Sequence, residues 1–177
     1  MILRLSTWAW SDWKFAHLVG RFFGALRAAV ADDEVRKLAE HLSRSELQLF
    51  RSMTLADQRH SLDLFYRLRR DGHDHPDLLR AALLHDVGKV SGSLPLAYRV
   101  VFSLVAMVSV PGARWLADGR RPRAFRPFYV AAYHAALGAQ AASSAGSNPT
   151  VTRLIAGHGA PGIDRLSFLL YRYDGSM

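Results

Sequence analysis

Apolar positions along this chain recur every three to four residues, the spacing that lines one face of an α-helix. No stretch of useful length alternates β-branched and polar residues between hairpin turn signals. Read with its start and stop signals, the pattern predicts helices over 56–70, 76–88, 94–110, 127–142, 149–157 and 163–174. Pro76, Pro127 and Pro149 each stand where a first helical residue would be, and Asn148 is a good cap for the last of these. Ser43 with Glu46, and Thr54 with Asp57, place a carboxylate three residues after a hydroxyl, as a capping box does. The Ala/Ser/Gly-rich stretch 141–147 reads as a loop, and no internal repeat is present. The fold expected is all-α, a compact single-domain helical bundle. Residues 1–50 would form a helical extension packed on a core domain of residues 51–177.

The segment 76–88 is apolar nearly all round, with Leu78, Leu79, Ala81, Ala82, Leu83 and Leu84. That marks a central, buried helix. Gly88 suits a left-handed exit from it. His85 and Asp86 therefore fall in its last turn, within "AALLHDVGK". Burying an imidazole beside a carboxylate costs several kcal/mol per group unless each is paired or bound to a metal.

Partners for them are available on other predicted helices. His60 precedes Leu64 and Leu68 at i+4 and i+8, His134 has Val130 and Leu137 beside it, and His158 follows Leu154 and Ile155. Asp174 continues the Leu166, Leu170 ladder at i+4 spacing. Each lies on an inward stripe, where a metal site assembled from several helices would find its ligands. The small residues around His134, with Gly138 one turn on, allow close approach of another backbone or of a metal centre. His73 and His75, in a polar loop, and His17 and His41 read as non-ligands.

Composition narrows the chemistry. Half of the 177 residues are hydrophobic and 21% are charged, as in a globular chain. With no cysteine, zinc–thiolate sites, disulfides and thiol catalysis are excluded. No phosphate-binding loop, Gly-x-Ser-x-Gly elbow or dinucleotide fingerprint is present. A net charge of +8 predicts attraction to polyanions, nucleotides or an anionic membrane surface. The first 30 residues interleave Trp8, Trp10, Trp13, Phe15, Phe22 and Phe23 with basic residues, so that segment could touch an anionic membrane or pack its aromatics on the core. No signal peptide or spanning segment is evident, and a cytoplasmic location is the expectation.

Taken together, His60 in "DQRHSL", the His85–Asp86 pair in "LLRAALLHDVGK" and Asp174 near the end resemble the HD-domain superfamily of metal-dependent phosphohydrolases. The resemblance covers roughly residues 50–174 and is closest to the form with the HDIG-type motif. His134 and His158 fall where HD-GYP-like members place additional ligands, although the GYP signature is absent. Cyclic-di-GMP specificity is therefore not carried over.

The resemblance implies one or two divalent ions, of Mn, Fe, Mg, Co or Ni. His60, His85, Asp86 and Asp174 would hold one, and Asp86 would bridge to a second held by His134 and His158. Asp164 is a rival for the final position, better explained as a first-turn charge. Metal-activated water would cleave a phosphate ester or anhydride, so no Ser or Cys nucleophile is required. Asp86 and Lys89 would be the catalytic residues. Lys89 would contact a substrate phosphate or, alternatively, complement a helix end. Arg59, Arg123 and Arg126 are further candidates for phosphate contact. The partner implied is a phosphorylated small molecule such as a nucleotide, with no specific nucleic-acid partner. The alternative is a catalytically silent HD-like module that senses a ligand or docks a partner. A third reading, a basic nucleic-acid or membrane binder, would show salt-sensitive and chelator-insensitive affinity.

Overall fold

The computed structural model describes residues 29–92 and 96–175. Nine α-helices follow one another in these residues: α1 (Asp32–Lys37), α2 (Arg44–Ser52), α3 (Leu55–Arg70), α4 (Pro76–Leu84), α5 (Leu96–Val108), α6 (Val110–Leu116), α7 (Arg126–Ser144), α8 (Pro149–Gly157) and α9 (Arg165–Gly175). Short 3-10 turns lie at Leu38–Glu40, Val87–Gly92 and Arg123–Phe125, and the described residues contain no strand. The all-α expectation holds.

The helix with apolar residues on every side is the innermost one. Leu78, Leu79, Ala81, Ala82, Leu83 and Leu84 of α4 are all buried. Helices α3 and α8 pack against it, α7 packs on α8, and α9 touches α3, α4 and α8. Val35, Leu38, Leu42 and Phe50 bury into the same core from the segment before α3. Truncating any one of the fully buried leucines to alanine would cost about 2–5 kcal/mol. The aromatic and basic segment at the N-terminus lies outside the described residues, as does His17.

Local signals set the helix starts. Ser43 Oγ accepts from the Glu46 amide while Glu46 accepts from the Ser43 amide at 2.8 Å, completing the capping box. Thr54 Oγ1 accepts from the Asp57 amide, and Asn148 Oδ1 from the Val151 amide. His75, one of the histidines read as a non-ligand, caps α4 through Nδ1.

The structure departs from the sequence pattern in three places. The helix expected over 76–88 stops at Leu84, so His85 and Asp86 form the turn between α4 and the 3-10 segment. Gly88 is not its left-handed exit, because among the described glycines only Gly72 and Gly146 have positive φ. Gly88 is needed for space instead: a Cβ there would overlap the His134 carbonyl and the Gly138 amide of α7. The helix expected over 94–110 is divided at Ser109, whose extended backbone (φ −149°, ψ 101°) starts α6. Pro111 explains the break, since it has no amide to donate to the carbonyl four residues back and its ring would crowd that carbonyl in a continuous helix. Finally, the stretch read as a loop from 141 continues α7 to Ser144, because alanine is the best helix former. The chain turns only at Gly146 (φ +88°), where the Ser147 amide bonds back to the Ala142 carbonyl.

Candidate metal centre

Three histidines present themselves in the same way. His85 caps the C-terminus of α4, His158 caps that of α8, and His134 lies within α7. Each donates Nδ1–H to the carbonyl three residues back: Ala82 at 2.9 Å, Ala131 at 2.9 Å and Ile155 at 2.7 Å. A carbonyl can only accept, so Nδ1 must carry the proton and Nε2 is the outward-facing atom. This bond fixes the ring and its tautomer, as it does for histidines that bind metal.

The Nε2 atoms converge on Asp86. His60, His85 and Asp86 form one group that could hold an ion, and Asp86, His134 and His158 form another. In the first, Asp86 Oδ2 lies 3.5 Å from His85 Nε2 and 4.0 Å from His60 Nε2. Asp174, from α9, closes this group. Its Oδ1 is 2.9 Å from His60 Nε2 and 3.5 Å from His85 Nε2. Donors about 2.1 Å from a common centre stand about 3 Å apart at right angles and about 4.2 Å apart when opposed. The four separations fall in that interval. His85 Nε2 is completely buried and has no hydrogen-bond partner, which leaves a polar atom aimed into the group.

The second group uses the other oxygen of the same carboxylate. Asp86 Oδ1 is 3.9 Å from His134 Nε2. The His134 and His158 rings lie 5.2 Å apart, and His158 is 5.0 Å from His85 across the shared centre. Gly88 and Gly138 make this possible by letting the His85–Asp86 turn press against α7. The close approach expected beside His134 is therefore the passage of the Gly88 backbone.

The charges differ between the groups. Burial alone would push the Asp86 carboxyl up, but Lys89, His85, His60 and His134 hold it well below the ordinary range. Asp174 is likewise held low, with burial outweighed by the nearby His85 charge and by the hydrogen bond from His60. Burial pulls His85 down, yet Asp86 and Asp174 lift it to about 9. His134 is lowered by burial, and His158 falls to about 4 through burial and the neighbouring His85 charge.

All six residues read as ligands thus stand in one place. Lys89 stands with them, its ammonium bonded to Asp86 Oδ2 and 3.5 Å from Asp57 Oδ1. Asp57 was legible only as a helix cap; its position three residues before His60, on the same face of α3, was the signal that it also reaches the site. Of the arginines, Arg59 and Arg126 are engaged elsewhere. Arg59 bonds Asp63 at 2.8 Å and both Glu34 oxygens at 3.1 Å, and Arg126 lies over the Tyr129 ring at 5.0 Å. Arg123 is exposed in the last 3-10 turn. Asp164 accepts from the Leu166 and Ser167 amides at the start of α9, away from the cluster. His41 packs against Phe65 and His73 against Tyr173.

No family model, curated protein or solved structure matches this chain. The donor set itself is all imidazole and carboxylate, groups that could hold a metal ion.

Proposed function

We propose that the chain is a metal-dependent phosphohydrolase of the HD-domain type, acting on a phosphate ester or anhydride of a nucleotide-like molecule. The observation that carries this reading is the convergence of three Nδ1-anchored histidines on a single buried carboxylate, Asp86, with His60 and Asp174 beside it. His60, His85, Asp86 and Asp174 would hold one divalent ion, and Asp86, His134 and His158 a second. Such ions, when bound, would lower the pKa of coordinated water and neutralise charge developing at phosphorus.

The chain's own residues do the rest. The carbonyls of Ala82, Ala131 and Ile155 aim the imidazoles, so the ligands are oriented before anything binds. Asp86 faces one oxygen to each group. Lys89 balances the charge of Asp86 in the free chain and is the cation nearest to a phosphate bound there. Arg59 is turned instead to Glu34 and Asp63.

Metal analysis of the purified chain, paired with hydrolysis of generic phosphomonoesters and phosphodiesters, tests the reading. Activity should vanish on chelation and return with a divalent ion. His85→Ala should lose activity, while His134→Ala should lose one ion of two. A wild type without divalent metal, unaffected by either substitution, would overturn it. One observation favours the second reading, a silent ligand-binding module: the Lys89 ammonium already supplies Asp86 with a counter-charge. That module would bind phosphate compounds without turning them over, whatever metal is supplied.

A further inference from the structure

The hairpin of α5 and α6 is built inside out. The inner face of α5 packs on α7, with Tyr98 and Phe102 against Phe128 at 5.2 and 6.5 Å between ring centres. Its outer face should carry the charges, as surface helices do. It carries Val101, Leu104, Met107 and Val108 instead, all exposed, with Val108 90% exposed at the tip. On the adjoining α6, Val110 and Trp115 are exposed too, each by more than half. A contiguous exposed apolar surface rimmed by polar residues marks a docking site.

The rim says what docks. Residues 96–126 contain six arginines against one aspartate, with no lysine or glutamate. Arg114, Arg120, Arg123 and Arg126 are exposed. The Arg121 guanidinium lies 3.6 Å from the centre of the Trp115 ring, so a cation and an interfacial aromatic form one unit. A second copy of the chain is a poor fit, because a two-fold contact through this patch would set the arginines against themselves. Helix α5, with 13 residues, is also too short to cross a bilayer, and no described helix is long and apolar enough to do so.

We propose that the α5–α6 hairpin seats the protein on an anionic bilayer surface. The apolar face of α5, with Val110 and Trp115, enters the headgroup boundary, and the arginines meet the lipid phosphates. The hairpin joins the rest of the molecule through α7, the helix that carries His134. The metal centre would thus be carried to the membrane surface.

Co-sedimentation of the full chain with vesicles tests this. Vesicles of phosphatidylcholine alone are compared with vesicles containing added phosphatidylglycerol. Binding is expected only with phosphatidylglycerol, weakening as salt rises, with a blue shift of tryptophan fluorescence. Leu104→Glu/Val108→Glu should lower the partition coefficient tenfold or more, and Arg120→Glu or Arg123→Glu about fivefold or more each. Helical circular dichroism of each variant, unchanged because these side chains are exposed, confirms folding. Failure of the wild type to bind, equal binding to both vesicle types, or variants that bind as the wild type does would overturn the proposal. So would a wild-type dimer that Leu104→Glu/Val108→Glu converts to monomer without vesicle binding, which assigns the patch to self-association.

Discussion

His85 and His158 are both buried imidazoles that donate Nδ1–H to the carbonyl three residues back. They nonetheless favour opposite charge states. Burial disfavours the cation at both. At His85 the two carboxylates Asp86 and Asp174 overcome it and raise the pKa to about 9, whereas at His158 the pull of Asp86 is outweighed and the value falls to about 4. Neither residue type nor depth sets the difference. The surrounding charges do: two carboxylates stand on the His60–His85 side, whereas His158 has one shared carboxylate and is also pushed down by the His85 charge. The first group calls for positive charge and takes a proton in its absence, while the second offers neutral lone pairs. Two neighbouring sites built from the same side chains thus differ in what an arriving cation must displace.

The largest effect comes from removing what the two groups share. Asp86→Asn should abolish metal uptake at both and destabilise the chain by about 3 kcal/mol, because nearly buried Lys89 keeps only the more distant Asp57 carboxylate. Metal content and urea unfolding read the two effects separately. Adding Lys89→Met should restore part of the stability and none of the metal. If Asp86→Asn keeps one ion, the groups are independent and the comparison fails.

Gly88→Ala attacks the joint between them. The added methyl meets the backbone of α7, which cannot move aside as a flexible side chain would. A loss of about 3 kcal/mol in urea unfolding is expected, with the second ion lost before the first. A variant within about 0.5 kcal/mol of wild type would show that the two segments are not pressed together there.

Proton release sharpens the contrast. Near neutral pH, metal should displace about one proton from the His85 group and none from His134 or His158, measurable by titration calorimetry in buffers of different ionisation enthalpy. Metal affinity should climb with pH and level off above about 9. The sign for stability is the reverse. The raised His85 pKa contributes stability to the metal-free chain that is fully present below the ordinary 6.5 and lost as pH rises through about 9. Thermal unfolding of metal-free protein should show that decline, and His85→Gln should remove it.

Glu46 supplies the smallest effect and a control. It is a buried carboxylate satisfied chiefly by neutral donors, the Ser147 hydroxyl at 2.7 Å and the Ser43 amide, with the Arg80 guanidinium 3.5 Å away. Burial would raise its pKa, but those bonds and Arg80 lower it below 4.5. Its contribution is present above 4.5 and lost as pH falls through the lower folded value. Glu46→Gln should cost about 1 kcal/mol near neutral pH, converge with wild type in acid, and leave metal content unchanged.

Much of this was legible in order along the chain. The caps at Ser43, Thr54 and Asn148 are contacts over three residues, so local spacing specifies them. The burial of α4 follows from an absence of polar residues on any side. The six ligand candidates stood out because a polar group on an apolar stripe is costly, and that cost is visible in one dimension. Where the reading missed, the cause was a competing local rule, as at Pro111 and in the alanine-rich end of α7, or a contact far along the chain.

The sequence by itself determined that the molecule is helical, which helix lies at the centre, and which imidazoles and carboxylates face inward. Periodicity and capping act within one or two turns, so they need no fold to be read. Only the tertiary structure decided that Asp86 is shared, that Gly88 makes room for α7 instead of ending a helix, and that Lys89 pairs with Asp86 and Asp57. It alone decided which histidine is held charged and which neutral. Those outcomes depend on distances between segments up to 114 residues apart, as for His60 and Asp174. Electrostatic energy depends on such distances, and no spacing along the chain encodes them.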